Sequence, residues 1–171
     1  MNKNDIITLY DYNYWATARV LQAAANLTPD QFTAPAGLSH GSVRGALVHI
    51  LGAETVWRLR CAEGISLSAL PDENEFPVAE ALRVRWLDEE QKMRAYLNSL
   101  SDEALNQTMQ YKTTQGVPYK NVLWTLLAHV VNHGTQFRGE AGVALTAYGQ
   151  SPGDLDLLLY FREKTAQGHA L

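Results

Sequence analysis

Two histidines, His129 and His133, stand four apart in the apolar run Leu126–Glu140, "LLAHVVNHGTQFRGE". Residues i and i+4 of a helix share a face, so the two imidazoles can address one point. Neutral imidazole is a ligand for Zn, Ni, Cu or Fe(II). A catalytic site of that kind takes about three protein ligands and leaves a position for water or substrate. His49 lies in a separate apolar stretch and is the candidate to meet the pair from a facing helix, the way bundle cores build metal sites. The plainer alternative is that each imidazole is hydrogen-bonded in a core or sits at a helix edge. The next position in the series, 137, is Phe.

Other groups carry less. Cys61, the single cysteine, reads as a small buried hydrophobe more than as a nucleophile. Asp88, Glu89 and Glu90 read as a solvated helix face, and His40 (loop) and His169 (tail) as exposed. "GSVRG" and "GQSPG" are too short and irregular for a phosphate loop. Asn13 with Tyr10 or Tyr14, and Glu54 as a base, are candidates to line the histidine cavity. The alternative for each is a satisfied polar group in the core.

The elements that must position these residues are helical. "NDIITLYDYNYWATARVLQAAANL" has apolar residues at helical period, with Asn4 expected as N-cap and Asp5 in the first turn. Thr28, Pro29 and Gln31 form a capping-box pattern that opens a short helix. A second long helix begins at Ser42 and carries the stripe Val43, Leu47, Ile50, Glu54, Trp57 towards a C-terminal stop at Gly64. Pro77 opens the third, charged on one face, and Ser101 caps a short turn. "MQYKTTQGVPY" is a loop or a short two-stranded excursion. The fourth and most apolar helix runs from about Asn121 to Tyr148. Its glycines 134, 139 and 142 are costly in a helix and suggest close packing. A short fifth helix follows "SPG", and residues 165–171 are expected to fray. Four long helices with short polar connections predict an all-α four-helix bundle with short extra helices, as one domain over 1–171.

A net charge of −4 argues against general nucleic-acid binding and against an anionic membrane surface. No stretch is long and apolar enough to span a bilayer. The start of the chain lacks the apolar core of a signal peptide. One cysteine excludes an intrachain disulfide framework. The expectation is a cytoplasmic protein that binds a small molecule.

Four segments taken in order, "YDYNYWATARVL", "SHGSVRGALVHILGAETVWRLR", "LLAHVVNHGTQFRGE" and "GQSPGDLDLLLYFRE", resemble the DinB family, over roughly Lys3 to Lys164. The resemblance implies a bundle of the DinB/YfiT-like type, usually a homodimer. It implies a divalent metal on three histidines, one from the second helix and two from an H-x-x-x-H pair in the fourth. It also implies chemistry with low-molecular-weight thiols, as in bacillithiol transferases and mycothiol-dependent maleylpyruvate isomerase. Carried over by position, His49 is the second-helix ligand and His133 the first of the fourth-helix pair. The second falls on Phe137, which offers no donor atom. Three arrangements stay open: a weak site on His49 and His133, a site displaced by one turn onto His49, His129 and His133, or a metal-free pocket extended by Phe137. The function expected is a thiol-dependent transferase or hydrolase with Zn or Ni. The alternative is a non-catalytic ligand-binding or stress-response dimer.

Overall fold

The computed structural model describes residues 1–166 and Gly168. The elements in order are α1 (Lys3–Ala24), α2 (Pro29–Thr33), α3 (Val43–Arg58), α4 (Ala79–Ser99), α5 (Asp102–Leu105), β1 (Thr108–Lys112), β2 (Pro118–Val122), α6 (Leu123–Ala147) and α7 (Leu157–Ala166). A single π turn, Leu59–Glu63, continues α3 and ends on Gly64 at φ 69°. Helices α1, α3, α4 and α6 form a closed ring: α1 packs on α6, α6 on α3, α3 on α4 and α4 on α1. This is the all-α four-helix bundle expected from the periodicity. None of the described helices is long and apolar enough to cross a membrane.

Helix starts follow side-chain chemistry. The first helix opens on Asn2, not Asn4, because that places Asp5 at the third helical position. Asp5 N–H then donates to Asn2 Oδ1 (3.0 Å) while Asn2 N–H donates to Asp5 Oδ2 (2.8 Å), a reciprocal capping box. Thr28 with Gln31 makes the second such box, and Ser42 caps α3 through the Gly45 N–H. Helix α4 begins at Ala79, two residues after Pro77. Helix α6 begins at Leu123 because the residues before it pair antiparallel with β1, Thr108 opposite Val122 and Tyr111 opposite Tyr119. Thr165 and Ala166, expected to fray, still belong to α7. His169 and the rest of the tail lie outside the described residues, Gly168 apart.

Two readings of charge and packing are corrected. Glu89 is fully buried, not solvated: in α4 it falls on the inward stripe with Leu82, Trp86, Met93 and Leu97. There it accepts from Arg58 of α3, Nε to Oε1 at 2.5 Å and Nη2 to Oε2 at 3.3 Å, a forked pair that suits guanidinium geometry. Of the three glycines of α6, only Gly134 has a tight neighbour, with Arg138 Nη1 2.7 Å from where a Cβ would stand. Gly139 has nothing near and Gly142 only ordinary contact.

Gly45 has the strongest packing requirement. A Cβ there would lie 2.0 Å from the carbonyl oxygen of His40. The chain entering α3 folds over the first turn of the helix, pinned by Ser42 N–H on the same carbonyl and by a bridge between Leu38 and Gly41. Gly45→Ala is therefore expected to destabilise the fold by about 1–3 kcal/mol, the usual cost of overpacking. It should also shift the backbone amide signals of residues 38–42. A thermal melt within a few tenths of a degree of wild type would contradict this.

Candidate active site

His49 in the middle of α3 and His133 in the middle of α6 meet across the most heavily packed helix pair of the bundle. Their Nε2 atoms face each other at 3.1 Å, and their ring centroids are 4.9 Å apart. Both rings are half-buried. Burial pushes the pKa of each down to about 4, with the nearby His40 adding to it in both and His49 adding to it in His133. Both are thus neutral near pH 7, the protonation state that binds metal. Two nitrogens held about 2.0–2.1 Å from one cation at a tetrahedral angle lie about 3.3 Å apart, so the pair has the spacing of adjacent ligands. The same distance serves a direct hydrogen bond between neutral rings.

Phe137 closes the inner side. It is 8% exposed, and its ring centroid lies 4.6 Å from His49, 4.6 Å from His133 and 5.1 Å from His40. His40, expected to be exposed, is instead half-buried and stacked on His49, with centroids 3.6 Å apart and planes 19° from parallel. Its loop is fixed to α6 by Glu140, whose carboxylate accepts from Ser39 N–H (3.0 Å) and Ser39 Oγ–H (2.8 Å). Glu140 is held below the usual carboxylate range by those bonds. Three imidazoles therefore surround one phenyl ring. The ring planes of the stacked His40 and His49 are near parallel, so their in-plane nitrogen lone pairs do not converge on one ion in this arrangement. Among the described residues no three His, Cys, Asp or Glu side chains converge as a metal-binding group.

His129 stands one turn earlier on α6 and is exposed. Its ring lies 5.5 Å from Trp57 and 5.8 Å from His133, so the structure joins His49 with His133 and leaves His129 beside them.

His49 also lines a cavity of about 450 Å³ with Ala53, Trp57 and Arg60 of the same helix face, Leu70 of the following loop, and Tyr111 and Tyr119 of the hairpin. The Tyr111 and Trp57 rings meet edge to face, with centroids 5.0 Å apart. The hairpin is thus the outer wall of the site. The first-helix residues expected in this wall are elsewhere. Asn13, Tyr10 and Tyr14 are buried in the core, where Tyr14 Oη–H donates to Glu54 Oε1 at 2.5 Å and Asn13 Nδ2–H to Glu54 Oε2 at 3.3 Å. Glu54 itself is 1% exposed, a core group rather than a base facing substrate. Burial raises its pKa to about 7. Burial likewise pushes the Cys61 thiol up to about 12, which removes it as a nucleophile at neutral pH.

With this geometry in place, the comparisons with known proteins decide the family. The profile of the DinB family matches residues 1–168. The chain belongs to the DinB family. One curated member, Protein DinB of Bacillus subtilis (strain 168), is 26% identical over 161 residues, which covers 89% of this chain and 92% of that one. Within this DinB chain, His40 and Arg60 are the site residues that periodicity alone did not reveal. His40 sits in a loop with no period. The signal that could have located it is the pair Gly41 and Gly45, which brackets a tight return onto the helix.

The two lowered histidine pKa values have a signed consequence. Between about pH 6.5 and 4 the unfolded chain binds protons at these positions and the folded chain does not, so stability falls as pH falls through that window. Glu54 works in the opposite direction, because its folded pKa is raised: its share is full below about 4.5 and is lost as pH rises through about 7. Comparing wild type with the His49→Gln/His133→Gln double variant isolates the first effect. The variant is expected to lose less stability on acidification from pH 6.5 to 4. Ring signals of His49 and His133 that titrate near pH 6.5 by NMR would refute it.

Proposed function

We propose that this DinB-family chain is a metal-dependent enzyme acting on a small molecule, a thiol-dependent transfer or a hydrolysis, on a site reduced to two histidines. The observation that carries this reading is the facing Nε2 pair of His49 and His133 at 3.1 Å, of which His49 lines a cavity of about 450 Å³. These two side chains would hold a divalent ion such as Zn²⁺ or Ni²⁺, with His129 a nearby third donor or a partner to a ligand. When bound, such an ion lowers the pKa of a coordinated water or thiol towards neutrality. The chain's own part is to keep both imidazoles neutral by burial, to fix their rings against Phe137 with His40 stacked on His49, and to hold substrate between Trp57 and the hairpin tyrosines. Two protein ligands make a weaker site than three, and free positions remain for a low-molecular-weight thiol and substrate together.

One observation favours a second reading, a ligand-binding pocket without catalysis: Phe137 is buried against both imidazoles and makes the inner wall apolar. A single set of titrations separates the two. Tag-free protein reconstituted with Zn²⁺, Ni²⁺ or Co²⁺ is expected to bind about one equivalent, by calorimetry and elemental analysis. His49→Ala and His133→Ala should each abolish it. Phe137→His is expected to tighten binding at least about tenfold, equivalent to about 1.4 kcal/mol. If the wild type takes up no metal, the enzyme reading fails and the pocket reading stands.

A further inference from the structure

Arg60 lies in the π turn that follows α3, a backbone irregularity that frequently marks functional positions. It is only 6% exposed. None of the ion pairs among the described residues includes it, and its Nε–H has no hydrogen-bond partner. Arg58, two residues earlier, is the contrast: its guanidinium is saturated by Glu89 and Glu63. The Arg60 guanidinium instead lies over the Trp57 ring at 4.7 Å and near Tyr111 at 5.5 Å, and the residue lines the cavity that also contains His49. Burial disfavours its charge, with no carboxylate among the groups that act on it. The buried Nε–H without an acceptor is costly, and the cost is recovered when a ligand brings an anionic acceptor.

The geometry points to Arg60 as the anchor for a carboxylate on the molecule that occupies this cavity, a monoanion with an apolar or aromatic body. Arg60 is the one cation in the lining, which matches one negative charge better than a phosphate dianion. Its planar fork suits the two oxygens of a carboxylate. Trp57, Tyr111 and Tyr119 supply flat apolar surface for the rest of the ligand. His49 and Arg60 sit about 16 Å apart along the helix axis at about 1.5 Å per residue, and the arginine side chain leans back towards His49. A small acid held at Arg60 therefore lies along Trp57 in the cavity that His49 also lines. This deepens the enzyme reading above by naming a substrate class, and it takes the cavity of that reading as the substrate site.

The test uses chelator-treated full-length protein, so that metal binding and anion binding can fail separately. The probes are 3-phenylpropionate, its uncharged amide and inorganic phosphate. The Arg60 Nε–H signal, assigned with Arg60→Lys, is followed by ¹⁵N NMR alongside calorimetry. The carboxylate is expected to shift that signal at millimolar concentration and to bind at least about tenfold tighter than the amide, a difference of about 1.4 kcal/mol. Arg60→Met, which keeps the apolar stem over Trp57, should remove that preference. The assignment is overturned if the carboxylate leaves the signal unmoved, if amide and carboxylate bind alike, if phosphate binds more tightly, or if a folded Arg60→Met keeps the preference. Should Arg60→Met not fold, the wild-type signal and the carboxylate-to-amide ratio decide the matter. A protein that takes up no metal yet binds the carboxylate at Arg60 overturns only the metal reading.

Discussion

The bundle is organised around a buried polar chain that crosses its diagonal. Glu54 of α3 accepts from Tyr14 and Asn13 of α1, and Asn13 Oδ1 in turn accepts from Arg138 Nη1 of α6 at 2.5 Å. Arg138 also reaches Thr17 at 3.3 Å. Three of the four long helices are thereby locked in axial register, since a shift of any one leaves a charged or amide group buried without a partner. Apolar packing alone does not fix register so tightly. The chain also explains Gly134, because any side chain there would collide with Arg138 Nη1 and Asn13 Oδ1.

That register places the histidines. Glu54 lies five residues beyond His49 on α3, and Arg138 five beyond His133 on α6. Holding Glu54 and Arg138 through a common Asn13 holds the two imidazoles opposite each other one layer away. Phe137 follows from the same arrangement. Its neighbour Arg138 must point inward to Asn13, which turns position 137 towards the His49–His133 pair. A histidine at 137 would meet that pair, and a phenyl ring there desolvates it instead, with His40 stacked over the opposite side.

Much of this was legible in the sequence, and the limits are physical. Helical period and caps located the long helices, because burial and the orphan amides of a helix start act over a few residues. The His49–His133 meeting was legible as a candidate from residue types and bundle architecture, and the family resemblance sharpened it, since nothing local joins residues on two helices. The buried face of Glu89 was hidden because a carboxylate in a charged run looks solvated until its partner, Arg58, is known. His40 and Arg60 were missed for a related reason: one depends on a loop folding back onto Gly45, the other on a π turn that re-aims a helix end. The first-helix tyrosines were expected at the cavity, but Glu54 draws Tyr14 and Asn13 into the core.

The hairpin gives the site an unequal set of walls. Its two strands are mostly exposed, and a lone two-stranded hairpin has little stability of its own. It is joined to the bundle where β2 runs directly into α6 and where Tyr111 meets Trp57. Opening it costs far less than parting helices, so molecules can enter and leave while the histidines stay in place. The histidine pair and the outer wall of the cavity are thus carried by separate parts of the chain. Changes in the hairpin can reshape that wall without disturbing the core that holds the two imidazoles opposite each other.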